Sequence, residues 1–197
     1  MTNLNEAAQA MTALTKLPGL VLVTDHGIGD TAVATGCRGH SLPVVRLGVD
    51  LMTGPESIRY AVLAHELAHQ ELGHTTRVLS SILERASVAA FIMLACTQGA
   101  VWALDVYWWG SPARNMVMLL VLGVLWAATA LTAKALDRRA EYEADRRGVE
   151  LLNAAGFPGL DYMREMVADT SKDEAPGTRW VWILDAHPSS SRRLAAL

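Results

Sequence analysis

Cysteine is nearly absent from this 197-residue chain, which has two in all. Cys37 and Cys96 are too few for a disulfide framework, and neither belongs to a Cys-x-x-Cys pair that could hold a metal or run redox chemistry. Both read as free thiols. Charge is scarce as well, at 19% of residues, and neither sign dominates, since the formal net charge is -3. That balance excludes a general electrostatic attraction to nucleic acid, so no nucleic-acid partner is expected. Little charge beside 51% hydrophobic residues also excludes a disordered chain. From Met1 to Gly19 the chain lacks the basic start and continuous apolar run of a signal peptide. Internal repeats and low-complexity stretches are missing too, and nothing specifies an oligomeric state.

What is present is apolar sequence concentrated in the middle of the chain. Ala86 to Leu104 and Asn115 to Ala133 carry no formal charge, each over about 19 residues against the roughly 20 that a bilayer span needs. Two transmembrane helices are predicted, with the lipid bilayer as their partner. The connection from Asp105 to Arg114 contains Tyr107, Trp108 and Trp109, which suit a membrane surface. The alternative is a pair of core helices in a soluble bundle, toward which Thr97 and Gln98 lean. Arg77 and Arg85 precede the first stretch, Lys134, Arg138 and Arg139 follow the second, and only Arg114 lies between. The positive-inside rule then places both termini in the cytoplasm, with two spans in the cell (inner) membrane. The polar segments on either side of this hairpin are free to assemble into one domain.

Leu20 to Val23, Thr31 to Thr35 and Leu42 to Leu47 are short, rich in β-branched residues and punctuated by glycine, the pattern of strands in a small sheet. Thr53-Gly-Pro-Glu56 has capping-box spacing, and Ile58, Val62, Leu63, Leu67 and Leu72 recur at helical intervals. The spacing predicts a helix over residues 54–74.

That helix carries His65-Glu-Leu-Ala-His69. Residues four apart lie one above the other on a helix, so both imidazoles can grip one metal ion. Zinc suits neutral histidine nitrogens, although affinity for such a site is not unique to zinc. Glu66 is then placed to act as general base toward a water activated by the metal. Two histidines satisfied by polar partners on a helix are the structural alternative. A catalytic zinc takes three protein ligands and one open position, and three side chains compete for the third place. His74 stands five residues after His69, well over a right angle from the ligand face of a continuing helix, so it reads as supporting or structural. In Glu141-Tyr-Glu-Ala-Asp145 the first and last residues share one helix face. One carboxylate can bind the ion while the other accepts the distal N–H of a ligand histidine. Glu143 points elsewhere and reads as a solvated charge. His26 and His40 have no spacing that supports a role.

These motifs resemble the HtpX-like and CAAX-prenyl-endopeptidase family of membrane zinc metallopeptidases, of the gluzincin group. In that family an H-E-x-x-H helix, often extended by a further histidine as at His74, is followed by membrane spans and then by E-x-x-x-D, here Glu141 to Asp145. The family also tends to carry His-Pro followed by arginine near its carboxy terminus, as His187-Pro-Ser-Ser-Ser-Arg-Arg193 does here. Thr31 to Gly36 resembles the strand and turn before the zinc helix, without the usual asparagine and aromatic residue. The extra amino-terminal spans of HtpX-like members have no counterpart.

The resemblance implies one zinc per chain, with His65, His69 and Glu141 as ligands, Glu66 as the base and Asp145 supporting a ligand histidine. It implies catalytic places for His187 and Arg193 beside the metal, where His187 would stabilise an oxyanion or fill the open position at rest; a helix-start residue held by Pro188 is the other reading. The fold class expected is α+β, mainly α: a zincin-like metallopeptidase domain with a small antiparallel sheet and an inserted two-helix hairpin. Its catalytic part would comprise residues 20–85 and 134–197 of a single 1–197 domain, with residues 86–133 inserted. The expected activity is zinc-dependent endopeptidase cleavage of protein or peptide substrates, those in or near the membrane first among them. A catalytically silent zinc-binding membrane adaptor is the alternative, and a metal-free interaction protein the third reading.

Overall fold

The computed structural model describes residues 4–15, 17, 19, 21–27, 32–35, 44–74, 78–103, 112–171 and 187–197. Elements run α1 (Leu4–Ala13), β1 (Val21–Asp25), β2 (Ala32–Thr35), β3 (Val44–Gly48), α2 (Val49–Thr53), α3 (Glu56–Glu71), α4 (Val78–Ala103), α5 (Pro112–Ala154), α6 (Gly159–Thr170) and α7 (Ser190–Ala196). The chain divides into two compact units, Val78–Asp137 forming the bulk of one and the remaining described residues the other.

The polar unit is built around α3. Tyr60, Ala61, Leu63, Ala64, Leu67 and Ala68 are almost fully buried, a stripe on the helical period that needs partners on several sides. Helices α1 and α6 and strands β2 and β3 pack around it. Helix α1, which no sequence pattern announced, contributes Ala7, Ala8 and Met11 to the same core.

The three expected strands form, but the sheet is not antiparallel throughout. Its order is β1-β3-β2, with β1 parallel to β3 and β2 antiparallel to it. Alternation fixes which residues form strands without fixing their partners. Here β1 and β2 run in opposite directions one strand apart, and β3 fills the gap.

The predicted capping box is also corrected. Thr53 ends α2, its Oγ1 bonding the Asp50 carbonyl at 2.8 Å, and α3 starts only after Pro55. At the other end α3 stops at Glu71 rather than residue 74. Gly73 adopts φ 70°, a left-handed conformation that only glycine adopts readily, and the Gly73 N–H bonds the Gln70 carbonyl at 3.2 Å.

In the other unit the apolar side chains face outward: Phe91, Ile92 and Met93 on α4 and Leu120, Val124 and Leu125 on α5 are all more than half exposed. Phe91 and Trp126 bring the two helices together, with ring centroids 5.6 Å apart. Among the described residues one helix, over Leu120–Ala154, is long and apolar enough to cross a membrane. Only 6% of its apolar window is buried, unlike the core helix of a soluble bundle, a weak pointer to membrane association. The predicted connection and its Tyr107, Trp108 and Trp109 lie outside the described residues, as do Cys37 and His40. Cys96 is a free, exposed thiol on α4.

Candidate metal centre

Two helices supply the centre. On α3, the i, i+4 spacing stacks His65 and His69 with their Nε2 atoms 3.0 Å apart. On α5, Glu141 directs one carboxylate oxygen to within 3.5 Å of His65 Nε2 and the other to within 3.4 Å of His69 Nε2. Helix α5 approaches because residue 148 is glycine: a Cβ there would stand 2.5 Å from Met163 Cε and 3.4 Å from the His65 backbone nitrogen. Arg147 secures the contact one residue earlier, its guanidinium spanning both oxygens of Glu71 at 2.8 and 3.1 Å.

The donor atoms of His65, His69 and Glu141 all lie within 4.8 Å of one another. Bonds of 2.0–2.1 Å to a tetrahedral ion place its ligand atoms about 3.3–3.4 Å apart. The two Nε2 atoms, 3.0 Å apart, and the Glu141 oxygens, one 3.5 Å from His65 Nε2 and the other 3.4 Å from His69 Nε2, stand near that spacing, and two imidazoles with one carboxylate are a donor set suited to zinc. The residues therefore fit a metal ion.

Asp145 is 2% exposed and accepts a hydrogen bond from His65 Nδ1 at 2.9 Å. That bond leaves Nε2 free as a donor toward the ion. Arg193, nearly as buried, donates to both oxygens of the same carboxylate, from Nε at 2.8 Å and Nη2 at 2.6 Å. Burial alone would push the His65 pKa down, but hydrogen bonds to Asp145 and Glu141 outweigh it and raise it to about 9. Burial would push both carboxyls up. Hydrogen bonds from His187, His65 and His69 instead hold Glu141 far below the usual carboxylate range, and those from His65 and Arg193 lower Asp145.

Glu66 follows His65 on α3 and is half-buried. His187 precedes α7, with its side chain 72% exposed and Nδ1 3.5 Å from Glu141 Oε1. Arg193 meets the centre through Asp145. His26 lies in the turn after β1. His74, read from sequence as supporting or structural, has Nδ1 3.0 Å from His69 Nδ1. Glu143, read as a solvated charge, instead has Oε2 3.4 Å from His74 Nε2 and Oε1 2.7 Å from Arg139 Nε. The left-handed Gly73 was the available signal, because it ends the helix whose continuation would have carried His74 away.

A comparison with known families matches residues 32–197 to peptidase family M48.

Proposed function

Since the chain belongs to peptidase family M48 and is thereby a metallopeptidase acting on protein or peptide substrates, we propose that it is a membrane-anchored zinc endopeptidase of the HtpX-like or CAAX-prenyl-endopeptidase type. The observation that carries this reading is the convergence of His65 Nε2, His69 Nε2 and the Glu141 carboxylate at ligand spacing. When bound, the zinc supplies Lewis acidity, which brings the pKa of a water toward neutrality and polarises a peptide carbonyl. The chain does the rest. Glu66 takes the proton from the attacking water and returns it to the leaving amine. Asp145, held by Arg193, keeps His65 in the tautomer that offers Nε2. His187, exposed and with Nδ1 3.5 Å from Glu141 Oε1, would stabilise the developing oxyanion or shield the centre at rest. Arg193 serves as a positioning residue.

An extended substrate would pair with a strand edge, a mode that selects conformation more than sequence. Strand β3 has neighbours on both sides, whereas β2 has one among the described residues and packs on α3. Of the two edge strands, β1 and β2, the one that packs on α3 beside the centre is β2, and it is the edge offered. The apolar part of α5, paired with α4 as an inserted hairpin, favours substrates in or near the membrane, with both termini and the catalytic part in the cytoplasm. Family membership favours proteolysis over a silent zinc-binding adaptor.

The test is metal content by mass spectrometry on the detergent-purified full chain, alongside cleavage of an unfolded protein substrate. Wild type and Glu66→Gln are expected to hold about one zinc per chain, Glu141→Ala to lose it, and only wild type to cleave. A folded wild type without metal overturns the reading, as does a Glu66→Gln variant that cleaves at the wild-type rate.

A further inference from the structure

His69 faces an imidazole where His65 faces a carboxylate. The Nδ1 atoms of His69 and His74 are 3.0 Å apart, with the rings edge to face at a centroid distance of 5.1 Å. The His74 side chain is 5% exposed, and its other nitrogen, Nε2, lies 3.4 Å from Glu143 Oε2. The second oxygen of Glu143 accepts from Arg139 Nε at 2.7 Å.

Two ring nitrogens at this distance form a hydrogen bond only if one carries the proton and the other does not. A His69 that offers Nε2 to a metal carries its proton on Nδ1. His74 Nδ1 is then the acceptor, and the His74 proton resides on Nε2, directed at Glu143. Every group in the row has a defined polarity: His69 Nδ1–H donates to His74, His74 Nε2–H donates to Glu143, and Arg139 neutralises Glu143 from its far side. The neighbouring ligand has the same logic one group shorter, through Asp145 and Arg193. An imidazole in the longer row adds no negative charge beside Glu141 and Asp145. The row exists because Gly73, at φ 70°, turns the chain back at the end of α3 and returns His74 to the ligand side.

Resting on the reading of His65, His69 and Glu141 as a zinc centre, we infer that His74 is a positioning residue that fixes the tautomer and ring orientation of His69, and that Glu143 fixes the tautomer of His74.

The experiment compares His74→Phe and His74→Asn with wild type in the full detergent-solubilised chain. Zinc affinity is measured by competition with a chromogenic chelator, and the visible spectrum of the cobalt-substituted protein reports ligand geometry. Melting of the metal-free protein reports folding. Phenylalanine keeps the ring without an acceptor, whereas asparagine places Oδ1 where Nδ1 stood. His74→Phe is expected to bind zinc about 10- to 100-fold more weakly than wild type, the usual cost of removing a partner behind a ligand, with a shifted cobalt spectrum. His74→Asn should recover most of the affinity and a near-wild-type spectrum. Wild-type affinity in a folded His74→Phe overturns the inference while leaving the zinc centre intact, as does a His74→Asn no tighter than His74→Phe. Should His74→Phe not fold, His74→Asn must bind zinc at least about ten-fold tighter than His74→Ala, or the inference fails. A folded wild type that takes up no zinc overturns the metal reading itself.

Discussion

Arg193 holds both oxygens of Asp145, from 2.6 and 2.8 Å, across 48 residues of sequence. The pair joins α7 to α5, and because Asp145 also accepts from His65, it ties the end of the chain to the proposed ligand set. Both side chains are buried, at 10% and 3% exposure, so removing one partner leaves an uncompensated charge.

Arg193→Met is therefore expected to destabilise the metal-free protein by about 3–5 kcal/mol, the range for breaking a buried ion pair. Arg193→Lys should fall between the two, since an ammonium does not span both oxygens as the guanidinium fork does. Denaturant unfolding in detergent measures both. A loss under about 1 kcal/mol for Arg193→Met would mean that water or another cation compensates Asp145.

Glu66→Gln preserves the shape of the side chain while removing its basicity. Cleavage should fall by about 10²- to 10⁴-fold, the contribution of a positioned general base, with zinc content unchanged. Glu165→Ala, at an exposed position on α6, serves as the control and should cleave at the wild-type rate. A parallel loss of zinc in Glu66→Gln would reassign Glu66 to holding the centre together.

The part of the centre that was legible in sequence depends on spacing within one helix. His65 and His69 share a face, and so do Glu141 and Asp145, because 3.6 residues make a turn. Contacts made across the fold were not legible. Arg193 reaches Asp145 through a chain path that spacing says nothing about. The supporting role of His74 was legible but its position was not, because projection onto a wheel assumes that the helix continues, whereas Gly73 ends it, and Glu143 then finds His74 instead of solvent. The strands were legible from their β-branched runs, but the parallel pairing of β1 with β3 was not, because partners and direction are set by connections rather than by alternation.

The charge state of His65 gives a pH dependence. In the metal-free protein Asp145 and Glu141 face it as anions and His69 as a neighbouring imidazole, and its pKa stands at about 9 against 6.5 for an unperturbed histidine. Folding raises this pKa, so the interaction contributes fully below about pH 6.5 and is lost as the pH rises through about 9. The melting temperature of the metal-free protein should accordingly fall between pH 6.5 and 9.5, and Asp145→Asn should flatten that slope. Zinc binding near pH 7 should release about one proton from His65, visible as a buffer-dependent binding enthalpy in calorimetry. An equal slope in Asp145→Asn would remove His65 as the source.

The centre itself constrains the membrane topology. His65 lies before the apolar segments and Glu141 after them, yet their side chains meet at 3.5 Å within one compact unit. A chain that crosses a bilayer between these two residues must cross an even number of times. If the apolar part of α5 is one crossing, a second is needed, and α4, with Phe91, Ile92 and Met93 outward, is the segment available for it. With the catalytic part in the cytoplasm, as proposed, a tag inserted after Gly110 should be reached by a membrane-impermeant reagent from outside the cell, while a tag after Leu197 should react only once the membrane is opened. Leu125→Arg, which places a charge on the outward face of α5, should weaken insertion by about 2.5–3.5 kcal/mol if that residue sits near the bilayer centre, read as increased release from membranes by alkaline extraction. Labelling of both tags from the same side would show that α4 and α5 do not form a spanning hairpin, and the catalytic unit would then meet the bilayer from one surface only.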